Sequence, residues 1–142
     1  MASGIIKISE AANLGMHALM LMAHEPERPL AVKRAIEVID VSENHLAKVL
    51  QRLAHAGLLT STRGPKGGFL LARSPEQITL LEVFEALEGP LNDHTCLLGK
   101  PVCEDGCMLG QYVTKATLDF RKQLERTRLS DLAGALKRRD AK

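Results

Sequence analysis

Residues 32–72 constrain this chain more than any other stretch. Val32, Ala35, Ile36 and Ile39 recur at the i, i+3, i+4, i+7 spacing of an amphipathic helix. Asp40 and Val41 make a tight connection, and Ser42 is placed to cap a second helix. There Leu46, Val49, Leu50 and Leu53 repeat the spacing until Gly57 supplies a left-handed stop. Two short helices across so short a turn predict a helix-turn-helix, whose second helix enters the DNA major groove. The polar side of that helix carries Asn44, Lys48, Gln51, Arg52 and His55, with His45 near its start. These are donors and amides rather than carboxylates, as phosphates and base edges require.

A hairpin signal follows directly. Leu58 to Thr62 and Phe69 to Ala72 read as strands around Arg63-Gly64-Pro65-Lys66-Gly67-Gly68. The glycines and proline permit a tight turn, and Arg63 and Lys66 set two cations on it. A hairpin in this position is a wing, with Arg63 and Lys66 expected at phosphate or the minor groove. Residues 30–73 hold seven Lys/Arg and three Asp/Glu, a net +4 against +2 for the chain. The positive charge therefore lies where the groove-facing helix and the wing lie. The candidate DNA-binding set is Ser42, Asn44, His45, Lys48, Gln51, Arg52, Arg63 and Lys66.

The flanks predict a mainly α fold around this winged unit. Ser9 caps a first helix to about His24, apolar nearly all round and therefore buried. Thr79-x-x-Glu82 is a capping box opening a helix with Val83, Phe84 and Leu87, stopped by Gly89-Pro90. From about Met108 to Thr127 a stripe of Leu109, Tyr112, Val113, Ala116, Phe120 and Leu124 marks a long helix. At about 30 Å, by its rise per residue, it is too long for one small domain to cover, so a partner chain is the expected cover. A last short helix is expected from Ser130 through Leu136. The resulting division is a DNA-binding domain over 1–90, a Cys-rich sensor loop over 91–107, a dimerisation helix and short helix over 108–136, and a polar tail over 137–142. With 142 residues, 45% hydrophobic and 3% aromatic, aliphatic side chains must fill the core. No apolar run approaches the ~20 residues of a membrane span. The N-terminus lacks a signal-peptide pattern, so the expected compartment is the cytoplasm. No phosphate loop, Gly-x-Ser-x-Gly or His-Glu-x-x-His supports an enzyme.

Cys96, Cys103 and Cys107 fall within twelve residues, among Gly99, Pro101 and Gly106. An odd cluster where disulfides are rare points to metal or redox chemistry. Zinc sites favour short Cys knuckles, and only Cys103-x3-Cys107 fits one, so an iron–sulfur cluster ranks above zinc. A metal-free thiol- or ligand-sensing regulator is the alternative. Residues 74–108 carry seven acids against Lys100, which disfavours a hyper-reactive thiolate.

Several stretches together carry a family resemblance. They are Val41-Ser-Glu-Asn-His-Leu-Ala-Lys-Val-Leu-Gln-Arg-Leu, Ala56-Gly-Leu-Leu, Arg63-Gly-Pro-Lys-Gly-Gly-Phe-Leu-Leu-Ala-Arg, Ala86-Leu-Glu-Gly-Pro-Leu and Leu129-Ser-Asp-Leu. Over about residues 5–136 the chain resembles the iron–sulfur and nitric-oxide-sensitive regulators of the IscR and NsrR type, the Rrf-two family. The Arg-Gly-Pro-x-Gly-Gly wing is the most specific part of the match. The resemblance implies a homodimeric winged-helix transcription factor on double-stranded DNA with a near-palindromic operator. It also implies a 2Fe–2S or 4Fe–4S cluster on Cys96, Cys103 and Cys107. The spacing here, Cys-x6-Cys-x3-Cys, departs from the family's more even one. Where some members place a carboxylate ligand in the first helix, this chain has Asn13, a poor iron ligand; Gly110 stands where others use His. The fourth ligand stays open among Asn13, His17, His94 and an external thiol.

Overall fold

A computed structural model of the chain describes residues 8–91, 98, 100 and 102–140, the last five by backbone alone. Its helices are α1 (Glu10–His24), α2 (Val32–Val38), α3 (Glu43–His55), α4 (Leu80–Glu88), α5 (Met108–Arg126) and α6 (Leu129–Asp140). Strands β1 (Leu59–Thr62) and β2 (Gly68–Leu71) form an antiparallel hairpin, and a 3-10 turn spans Pro75–Gln77. The fold is therefore mainly helical with a two-stranded wing, as expected. Within the described residues no helix is long and apolar enough to cross a membrane.

The helices start where the sequence offers caps. The Ser9 and Ser42 hydroxyls accept from the Ala12 and His45 amides, which satisfies N–H groups the first turns leave open. Gly57 and Gly89 take positive φ (83° each) just after α3 and α4, as the stop signals required. α6 runs four residues past the expected end at Leu136. Ala135 to Arg139 are all strong helix formers, and a polar composition alone does not end a helix.

The core forms where α1, α3 and α4 meet. Ala12, Ala18 and Leu19 of α1, Leu46, Leu50 and Leu53 of α3, and Val83 of α4 are fully buried. Gly15 lets the helices close up. A Cβ there would lie 2.3 Å from Leu87, 3.4 Å from Val49 and 3.5 Å from Leu53. Two single-residue pairings, invisible to periodicity, lock the outer parts to this core. Leu30 bridges Phe69 through two backbone bonds (2.9 and 3.0 Å), so the α1–α2 connection is pinned to the wing by a single-residue bridge. Thr79 bridges Arg128: the Leu80 amide donates to Thr127 and the Leu129 amide to Ile78. This ties the α5–α6 corner to the start of α4.

Glu82 sits at that tie. Its amide donates to the Thr79 hydroxyl (3.2 Å) while its carboxylate accepts from the Thr79 amide (2.9 Å) and from Arg73 (2.6 Å). Burial pushes the Glu82 pKa up, but the hydrogen bonds from Thr79 and Arg73, with Arg73's charge, outweigh it and hold the carboxyl below its ordinary 4.5. Its contribution to stability is thus complete above the ordinary value and is lost as pH falls through the depressed one. Thermal melts of the chain and of Glu82→Gln are expected to differ at about pH 7 and to converge at strongly acid pH. A difference that does not change with pH contradicts this reading.

Candidate nucleic-acid interface and cysteine segment

α3 presents two chemically distinct sides. Leu46, Val49, Leu50 and Leu53 are buried, while Asn44, Lys48, Gln51, Arg52 and His55 are exposed. Lys48, Gln51, Arg52, His55 and Ala86 line a shallow depression of about 620 Å³. The exposed Ser42 closes the N-terminal end of the helix, and His45 stands half-buried with Nδ1 3.6 Å from a Glu10 carboxylate oxygen. On the wing, Arg63 and Lys66 are exposed at the tip, and Gly64 takes φ 106° in the turn between them. All eight sequence-predicted residues thus belong to the recognition helix, its cap and the hairpin.

Arg52 has a second commitment that the sequence did not signal. Its Nη2 donates to the Leu87 carbonyl (2.5 Å), in the last turn of α4. Beside it, the Ser9 hydroxyl donates to Glu88. The start of α1 and the last turn of α3 are therefore both joined to the end of α4, where the chain leaves for the cysteines.

Of the cysteines, Cys96 lies outside the described residues, as does His94. Cys103 is exposed and Cys107 half-buried, both as free thiols. Cys107 is the N-cap of α5, its sulfur accepting from the Gly110 amide (3.2 Å). The positive end of the α5 dipole therefore faces this sulfur. Among the described residues no three His, Cys, Asp or Glu converge on a metal-sized site. In α1, exposed His17 donates from Nδ1 to the Asn13 carbonyl (2.8 Å), which leaves the lone pair on Nε2. Asn13 is also exposed.

α5 is divided along its length. Phe120 meets Phe84 edge to face (5.7 Å, 86°), and Leu124 is buried. Toward the cysteines, Met108, Leu109 and Tyr112 are 68%, 59% and 63% exposed, with Val113 and Leu118 also open. Among the described residues of one copy, nothing buries this stripe.

A family pattern described as "Rrf2: Iron-dependent Transcriptional regulator" matches residues 8–135. The chain belongs to the Rrf2 family. It is accordingly a DNA-binding transcriptional regulator of winged helix-turn-helix fold and not an enzyme. Among solved structures, it is similar to CymR (YrzC), the global cysteine regulator of B. subtilis. That likeness is at 26% identity, over 92% of this chain and 98% of that one, with a TM-score of 0.79. It is also similar to IscR of T. potens (25% identity, 93% and 89% covered, TM-score 0.74). An oxidised form of S. aureus CymR matches at 26% identity, with 90% and 96% covered and a TM-score of 0.73. Family membership agrees with the motif reading of the wing and of α3. It does not choose between a cluster and bare thiols.

The Arg52 tie predicts a stability effect that its neighbours lack. Arg52→Ala is expected to lower the free energy of unfolding by about 1 kcal/mol, the usual worth of one such hydrogen bond. Lys48→Ala, on the same exposed side, is expected to stay within about 0.5 kcal/mol of the parent. Urea unfolding of the two variants checks this, and equal midpoints contradict it.

Proposed function

We propose that this Rrf2 regulator works as a homodimer that reads a near-palindromic operator and senses redox state, iron or nitric oxide through an iron–sulfur cluster on Cys96, Cys103 and Cys107. Asn44, His45, Lys48 and Gln51 meet base edges and phosphates. Ser42 frames the helix start, and Arg63 and Lys66 reach the flanking backbone or minor groove. Arg52 spends one donor on Leu87 and keeps the rest of its fork for the duplex.

The observation that carries the sensing part is the seating of Cys107 as the cap of the helix that also bears the uncovered apolar stripe. The residues fit a thiolate-bound group on three counts. Cys107 lies at a helix N-terminus, where anionic ligands are favoured. Cys103 lies four residues away in an open segment, and a third thiol, Cys96, is close in sequence. Bound there, a cluster would supply a centre labile to oxidant and nitric oxide. This chain's own residues hold the two ends of the link. Arg52 fastens the end of α4 to the reading helix and Ser9 fastens it to the start of α1, while Cys107 fixes the start of α5. A change at the thiols thereby reaches the spacing of two reading heads about one helical turn of DNA apart.

A metal-free thiol regulator is the second reading. It is favoured by the exposure of Cys103 and by the likeness to CymR, solved also in an oxidised form.

Anaerobic purification with iron and sulfide analysis separates the two. The cluster reading expects a coloured protein whose visible absorption is lost in Cys103→Ala. A colourless, iron-free preparation contradicts it, and an oxidant-dependent shift on a non-reducing gel would then favour the thiol reading.

A further inference from the structure

The wing and the α1–α2 connection flank a cleft of about 400 Å³ whose lining includes no α3 residue. Arg28, Pro29, Ala31 and Arg34 form one lip, and Pro65, Lys66 and Gly67 the other. The lining carries three cations and no carboxylate.

The two lips are held in register by the backbone. Leu30 and Phe69, which lie next in sequence or nearly so to residues of the two lips, exchange two hydrogen bonds. Gly68 permits that approach, since a Cβ on it would stand 2.5 Å from the Leu30 oxygen and 2.9 Å from the Ala31 nitrogen. Gly67 is equally confined, with the Thr62 oxygen 2.4 Å from the place of its Cβ. The glycine pair that reads in sequence as turn chemistry is thus also a packing requirement, and it sets the cleft's width.

The arginines are oriented from behind. Glu25, at the end of α1, accepts from Arg34 Nη2 (2.9 Å) and lies 3.6 Å from Arg28 Nη1. The Arg34 hydrogen bond is the largest cause holding the Glu25 carboxyl below its ordinary value. Burial opposes it, and the charges of Arg34, Arg28 and His24 add to it. One carboxylate thus faces two guanidiniums, and with Lys66 the cleft keeps a net positive charge. Each guanidinium has five donors in a planar fork, and Glu25 occupies few of them.

We infer that this cleft is a seat for a backbone phosphate of the bound duplex, with Arg34, Arg28 and Lys66 as its donors and Glu25 as a positioning residue. The inference rests on the DNA-reading role of α3 and the wing, and it adds Arg28 and Arg34 to the interface. A duplex lying along the wing runs its backbone past Lys66, so the opposite lip meets the same strand. Contact with phosphate alone fixes register and carries no base information.

The test is fluorescence anisotropy of the full chain on two random-sequence duplexes of about 30 base pairs, one AT-rich and one GC-rich, across a sodium chloride series. The parent is expected to bind with a steep negative slope of log K against log salt. Arg34→Ala and Arg28→Ala are each expected to flatten that slope by about 0.9 for each lost phosphate contact, equally on both duplexes. Arg34→Lys keeps the slope and loses affinity, because the charge remains and the fork does not. Should Arg34→Ala unfold, as its melting curve would reveal, the more exposed Arg28 carries the test alone. Parent-like slopes in both alanine variants overturn the phosphate seat and leave the reading of α3 intact. A loss confined to the AT-rich duplex overturns it in favour of groove reading. No salt-dependent binding by the parent overturns the DNA interface and this seat together.

Discussion

Burial of one side of α3 is the constraint on which the rest of the structure depends. Leu46, Leu50 and Leu53 are fully buried against α1 and α4, and Val49 nearly so. Fixing four side chains at helical spacing fixes the rotation of the helix, so Asn44, Lys48 and Gln51 have only the solvent side left. The close approach depends on Gly15, whose missing side chain leaves room for Leu87. A looser junction would still leave α3 helical but would no longer aim its polar groups. Truncating one of these leucines removes about 2–5 kcal/mol, a large part of a small domain's stability. Aim and stability are therefore the same interaction.

The second constraint is a surface that the described residues do not bury. The C-terminal half of α5 packs through Phe120 and Leu124, whereas its first turns hold Met108, Leu109 and Tyr112 in the open. Apolar area of this kind gains about 25 cal/mol per Å² when it is covered. A second α5 is the cover we propose. The same turns begin at Cys107, whose sulfur is bonded to the helix's own amide. The proposed sensor and the proposed seam therefore share one helix end. At the other end of the connection, Arg52 ties α4 to the reading helix and Ser9 ties it to α1.

Much of this was legible from residue order because it rests on local rules. Caps at Ser9, Ser42 and Thr79, stops at Gly57 and Gly89, and the apolar spacing of α3 each act within a few residues. The wing was readable for the same reason, as glycines and a proline between two apolar runs. What escaped were pairings of single residues far apart in the chain. Leu30 with Phe69 and Thr79 with Arg128 leave no period to detect. The Arg52–Leu87 bond needs the helix packing before it can be seen, and Arg52 by itself reads as one more cation on a polar face. Cys107 escaped as a cap because Ser, Thr, Asp and Asn are the usual signals there. Arg28 and Arg34 carry no signal of their own in sequence, because they come to face Lys66 across a cleft only once Leu30 bridges Phe69.

In the reading proposed here one chain is half of the DNA reader, and the open start of α5 is where the two halves join. Sedimentation equilibrium of the reduced chain, with Tyr112→Glu beside it, is the decisive measurement. The parent is predicted to sediment at twice the 15.5 kDa chain mass and the variant at the chain mass, with its helical content unchanged. A parent that stays at the single-chain mass, or a variant that remains double, would contradict it.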